Sequence, residues 1–321
     1  MAITTDTEQH KSMPDKSENT IISMQQSVVS AGRRNARIIG VACGRGARDH
    51  GCEDGPEVLH MLGFFREWVE TDEHLHWDQT IRAPSQERDA LQAVASIAGT
   101  LAQSVVRTLD EGHFPLIIGG DHSCAIGTWS GVRSHLGDSG RLGLLWIDAH
   151  MDSHTFKTSP SQAVHGMPLA CLLGYGDAKL TQVMSAHPKL LPHDVCLIGV
   201  RSFEWGEAAL LRKLGVRIYF MDEVKKRGLQ NVFREAVVHV SEHTAGYGIS
   251  LDMDALDPSE ETGVGSPVPD GLYRMELLTA LKSVHADRQL LAMEVVEYNP
   301  HRDNNYETAQ ALRDLCKSLL D

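Results

Sequence analysis

The stretch Leu142-Gly143-Leu144-Leu145-Trp146-Ile147-Asp148-Ala149-His150-Met151-Asp152 decides the fold. A short run of apolar residues reads as a strand buried on both faces, the kind found in parallel sheets covered by helices. The apolar run stops at Ile147 and acids and an imidazole follow at once. Open parallel sheets collect their ligands at the carboxyl ends of strands, so the same eleven residues point to the place where function sits.

The unit recurs on both sides. Apolar runs at Ile38–Ala42, Leu116–Ile118, Val195–Val200, Val216–Phe220, Tyr247–Leu251 and Leu290–Val296 alternate with longer amphipathic stretches. Those stretches are Pro56–Trp68, Arg88–Leu109, Cys124–Leu136, Trp205–Leu214, Leu229–Val240, Arg274–Val284 and Glu307–Leu320. Strands alternating with helices specify an α/β chain with a mostly parallel sheet flanked by helices. No fixed-period repeat and no internal linker interrupts residues 35–321, which are read as one domain. Residues 1–34, rich in Ser, Thr, Asp, Gln and Lys, are read as a flexible tail with a short helix over Ile21–Val29.

Composition narrows the function. The 321 residues carry 30 basic and 43 acidic side chains, a formal charge of −13 with neutral His. Binding nucleic acid through its phosphates needs a basic surface, and a polybasic membrane contact needs the same, so both partners are disfavoured. The amino terminus has no apolar run of signal-peptide type, and no run approaches the roughly 20 residues of a membrane span; a cytoplasmic protein is expected. Six Cys form no Cys-x-x-Cys pair, which argues against zinc ribbons and dithiol redox chemistry. Cys171 follows His165 by six residues, but its setting Leu169-Ala170-Cys171-Leu172-Leu173 reads as core packing.

Three polar clusters each follow an apolar run: Gly119-Gly120-Asp121-His122-Ser123, Asp148 to Asp152, and Asp252-Met253-Asp254. In an extended segment, residues two apart face the same way, so Asp148, His150 and Asp152 are expected on one face, and Asp252 with Asp254. Four carboxylates and two imidazoles then converge. That many buried carboxylates do not all stay ionised without compensation, and two divalent cations supply it. The mixed His/carboxylate set suits Mn²⁺, with Zn²⁺, Co²⁺, Ni²⁺ and Fe²⁺ as chemical competitors.

These blocks resemble those of the ureohydrolase family, which holds arginases, agmatinases and their relatives; the pattern is nearest to arginase. His165-Gly166-Met167-Pro168 and Glu297-Tyr298-Asn299-Pro300 match further family motifs, and the resemblance spans about residues 36–318. It implies a three-layer α/β fold with a parallel sheet of about eight strands, a trimeric or hexameric homo-oligomer, and two Mn²⁺. The first ion is implied to bind His122, Asp148, Asp152 and Asp252. The second is implied to bind His150, Asp148, Asp252 and Asp254, with Asp148 and Asp252 bridging. Asp121 is implied to orient a ligand. The implied reaction is attack of a metal-activated hydroxide on a guanidinium carbon, with Asp148 or Asp254 accepting its hydrogen bond. His165 is the implied proton shuttle, and Glu297 the implied grip on the guanidinium.

Substrate choice rests on the flanking residues. By the same resemblance Glu204, in place of the usual Asp, and Glu207 face an α-ammonium, and Ser266 stands where Thr is usual. The loop from Ser153 to Val164 departs from arginases: His154 replaces one Asn, and Ser161-Gln162-Ala163 keeps the Ser but loses another Asn. His154 or Ser159 is the expected contact for an α-carboxylate. Arginine is the expected small cationic substrate. Agmatine, another guanidino acid, and formimidoylglutamate are alternatives, as is a non-catalytic metal-binding subunit.

Overall fold

The computed structural model describes Met1, residues 33–84 and residues 89–320. The expected helix over Ile21–Val29 lies outside the described residues. Eight strands form one sheet: β1 (Ala36–Ala42), β2 (Leu75–Arg82), β3 (Phe114–Ile118), β4 (Leu142–Ile147), β5 (Val195–Val200), β6 (Arg217–Phe220), β7 (Gly246–Asp252) and β8 (Leu290–Val296). Their spatial order is β2-β1-β3-β8-β7-β4-β5-β6, and every pairing is parallel. Along β4, alternate side chains go to opposite faces. Leu145 and Ile147 join one apolar cluster, which includes Phe233, Leu277 and Leu312. Leu144 and Trp146 join the other, with Leu101, Val105 and Trp129. Helices Leu229–Ser241, Arg274–Lys282 and Glu307–Leu320 cover the first face, and Ala90–Asp110 and Ala125–Leu136 the second.

Several elements differ from the sequence reading, among them the short helices Pro168–Leu172 and Ala178–Thr181, which no amphipathic stretch announced. Strand β2 is absent from the seven apolar runs because it is an edge strand: His76, Asp78 and Arg82 are exposed and only Leu75 and Ile81 are buried. The amphipathic stretch at 56–68 is two helices, Gly55–Met61 and Gly63–Thr71, split where Leu62 turns extended (φ −65°, ψ 128°). A further helix, Met221–Arg227, starts directly after β6. Only Met221 and Val224 of it are buried, too few for a legible period; acids in its first turn and Lys225, Lys226 and Arg227 in its last suit the helix dipole.

The turn after β3 requires glycine. A Cβ on Gly120 would lie 1.8 Å from the carbonyl oxygen of Cys43, at the end of β1. That close approach lets the Asp121 N–H donate to the same carbonyl at 2.7 Å and fixes where His122 enters. Gly120→Ala is therefore expected to destabilise the fold by about 3 kcal/mol, since the backbone must move to accept the methyl. Thermal denaturation showing an unchanged midpoint would contradict this packing.

Candidate active site

The polar clusters meet at the carboxyl ends of β3, β4, β7 and β8, four strands adjacent in the sheet. Convergence is achieved by turns and not by the extended alternation expected from sequence. Asp148 Oδ1 accepts the N–H of His150 at 2.6 Å, and Asp252 Oδ1 accepts that of Asp254 at 2.8 Å. Both are side-chain-to-backbone turns two residues long, a motif short acids favour. Met253–Ala255 is a single 3₁₀ turn. Asp152 has a left-handed backbone (φ 44°), as does Glu297 (φ 63°); strained conformations of this kind gather at functional sites.

Two donor groups result. In the first, His122 Nδ1 lies 3.3 Å from Asp148 Oδ2, 3.1 Å from Asp152 Oδ2 and 3.0 Å from Asp252 Oδ2. In the second, His150 Nδ1 lies 3.1 Å from Asp254 Oδ2 and 3.5 Å from Asp148 Oδ1. Asp148 belongs to both groups, and Asp252 to the first.

A pair of divalent ions fits these residues. His122 Nδ1 is buried and, despite its three neighbours, makes no hydrogen bond; it points at the centre of the carboxylates as a ligand does. Burial and the charge of Asp148 push Asp152 up to about 6, and burial with Asp254 and Asp148 raises Asp252. This crowding of like charges is what cations relieve. Imidazole nitrogen with carboxylate oxygen suits first-row divalent ions.

Supporting contacts come from residues that sequence reading passed over. Trp146 stacks on the His122 ring at 4.2 Å and donates its indole N–H to Asp148 Oδ2 at 2.8 Å. His122 Nε2 meets Ser250 Oγ at 3.0 Å, and Ser250 donates to Glu294 Oε1 at 2.6 Å. Glu294 is fully buried and ends this chain. With Nε2 held by the Ser250 hydroxyl, Nδ1 is left as the ligand atom. Ser250→Ala is expected to weaken the metal held by His122 at least about tenfold; a metal titration matching the unsubstituted protein would refute the orienting role. Asp121 acts through the backbone, capping the 3₁₀ turn His122–Cys124. Its carboxylate accepts the N–H groups of Gly46, Ala47 and Ser123 and touches no ligand side chain among the described residues.

Glu297 is buried beside the donor groups. Its Oε1 accepts the N–H of His122 at 2.9 Å and lies 3.0 Å from His165 Nδ1. Burial opposes charge on His165, but Glu297 raises it to about 9; Glu297 in turn is held below its ordinary range by His165 and His122. The Cys52 thiol donates to Glu297 Oε2 at 3.3 Å, another contact invisible in the sequence.

His150, Asp152, Asp252, Asp254, His165 and Glu297 line one cavity of about 350 Å³, together with His154, Ser161, Glu204, Glu207 and Ser266. Of the residues proposed from sequence for substrate contact, His154, Ser161, Glu204, Glu207, Ser266 and Glu297 are on its wall, and Ser159 is not. Glu204 caps the helix Trp205–Leu214, and Glu207 reaches back to the Glu204 N–H at 2.9 Å, half of a capping box. The two acids three apart therefore also start a helix. Contact with His154 holds Glu204 low, whereas burial pushes Glu207 up to about 8. His154 Nε2 lies 3.0 Å from Glu204 Oε2 and its Nδ1 3.2 Å from Thr158 Oγ1.

The arginase family model matches residues 34–321. This chain belongs to the arginase family. An arginase from Bacillus caldovelox is 39% identical over 88% of this chain and 96% of its own. The crystal structure of arginase from Bacillus cereus superposes with a TM-score of 0.83 at 35% identity, covering 90% of this chain and 98% of that one. Entamoeba histolytica arginase in complex with L-ornithine gives 0.83 at 29% identity, covering 90% and 99%. The eight-stranded parallel sheet flanked by helices is the arginase-like fold expected from the sequence blocks. Among the described residues no helix is long and apolar enough to cross a membrane.

Proposed function

We propose that this arginase-family enzyme hydrolyses the guanidino group of arginine to ornithine and urea, using two Mn²⁺. The observation that carries the reading is the placement of Glu297 and His165, 3.0 Å apart, on the wall of a cavity that reaches both donor groups, through Asp152 and Asp252 of the first and His150 and Asp254 of the second. His122, Asp148, Asp152 and Asp252 would hold one ion, and His150, Asp148 and Asp254 the other. Bound there, divalent ions supply the Lewis acidity that makes water a nucleophile near neutral pH. Glu297 grips the planar guanidinium through charge-assisted hydrogen bonds and presents its carbon to the donor groups. Asp148 or Asp254 accepts the hydrogen bond of the attacking water. His165, kept protonated by Glu297, delivers a proton to the departing nitrogen.

Glu204 and Glu207 would face the substrate's α-ammonium, with Ser161, Ser266 and His154 completing the head-group wall. Residues 35–321 act as one catalytic domain in the cytoplasm. A homo-oligomer, trimer or hexamer, is supported by apolar side chains left outside: Trp205 is 85% exposed, beside Phe203. Urea release after Mn²⁺ loading, compared across arginine, agmatine and other guanidino acids, tests the reading. Arginine is expected to give the highest kcat/KM. Full loading without urea from any of these compounds would leave a metal-binding subunit as the reading.

A further inference from the structure

Six acidic side chains line the cavity, and Arg48 is the one Lys or Arg among the described residues that do so. Arg48 lies between β1 and the 3₁₀ turn at His50–Asp54, outside every motif read from the sequence. The backbone leading to it is tied down: Asp121 holds the Gly46 and Ala47 N–H groups, and the His165 N–H donates to the Gly46 carbonyl at 3.1 Å. Its guanidinium reaches the Ser161 carbonyl at 3.4 Å and forms no ion pair with a described residue. A smaller adjoining cavity is lined by Arg48, Ser161, Ser266 and Glu297, but by none of His154, Glu204 and Glu207. Arg48 therefore stands on the Ser161 side of the pocket, away from the acids that face an ammonium.

The groups first expected to meet a carboxylate are already engaged. His154 spends Nε2 on Glu204 and Nδ1 on Thr158. Ser159 Oγ lies 3.2 Å from Ser161 Oγ and accepts the Gln162 N–H. Arg48 keeps most of its five donors free in a planar fork that matches a carboxylate. We propose that Arg48 takes the α-carboxylate of the substrate, replacing the two amide side chains that loop 153–164 lacks, and so makes the enzyme select an amino acid over its decarboxylated amine. This rests on the amino-acid reading of the substrate.

The test uses the Mn²⁺-loaded enzyme with Arg48→Gln and Arg48→Lys. Calorimetry with ornithine and with putrescine, which lacks the carboxylate, reads the head-group contact without turnover. Arg48→Gln is expected to weaken ornithine at least about tenfold, as loss of a charge-assisted pair does, and to raise the arginine KM similarly with kcat little changed. Putrescine binding should shift less than twofold, and Arg48→Lys should recover part of the ornithine loss. Equal ornithine affinity in Arg48→Gln and the unsubstituted enzyme overturns the proposal, as does an equal loss for both ligands. Failure of the unsubstituted enzyme to bind ornithine overturns the amino-acid reading beneath it.

Discussion

Asp148→Ala is expected to leave the protein folded but unable to retain either ion at concentrations that saturate the unsubstituted chain. Its kcat/KM should fall at least about 10³-fold, roughly 4 kcal/mol of transition-state stabilisation. Asp148 is the side chain common to both donor groups: Oδ2 faces His122 and Oδ1 faces His150. Removing it takes a ligand from each ion and frees the Trp146 indole N–H. His122→Ala should act locally, since His122 belongs to one group alone, and leave about one ion per chain. Elemental analysis with circular dichroism as a folding control decides the matter. One retained ion in Asp148→Ala, or none in His122→Ala, would show that the shared position is elsewhere.

The second large effect is expected from Glu297→Gln. The substitution keeps the shape and an oxygen to accept from the His122 N–H, so fold and metal content should hold. It removes the charge proposed to meet the guanidinium in a buried setting, where losing one member of a pair costs about 3–5 kcal/mol. A fall in kcat/KM of about 10²–10⁴-fold follows. His165 loses its partner as well, so part of the loss should appear in kcat. Steady-state kinetics within tenfold of the unsubstituted enzyme would remove Glu297 from the binding of the reacting group.

Much of this was legible in the chain because the ligands are local in sequence. Each of His122, Asp148 to Asp152, and Asp252 to Asp254 sits within five residues of the apolar run that carries it, so a strand-end rule finds them. What carried no signal was contact across the sheet. Ser250 and Glu294 lie on neighbouring strands and meet His122 only when β3, β7 and β8 come together. Cys52 reaches Glu297 from 245 positions away, and Arg48 reaches Ser161 from 113. The turns were misread for a different reason: period two in sequence fits an extended segment and an aspartate turn equally well, and only the Oδ1 contacts with His150 and Asp254 N–H distinguish them. Strand β2 failed because an edge position lets His76 and Asp78 face solvent and erases the apolar run.

The donor groups draw on the ends of β3, β4 and β7, with Glu297 just after β8, and these four strands stand side by side at the middle of the sheet. Ions bound there would act as a clasp across three strand seams. Any opening that parts β3 from β8, β8 from β7 or β7 from β4 disrupts the constellation and has to release metal, so those openings become rarer as metal activity rises, by mass action. The margins at β2 and β6 lie outside the clasp and can fray with the ions in place. Amide exchange should therefore slow with metal in the central seams and stay unaffected at the rim, making the enzyme's cofactor the setting that decides which half of its sheet breathes.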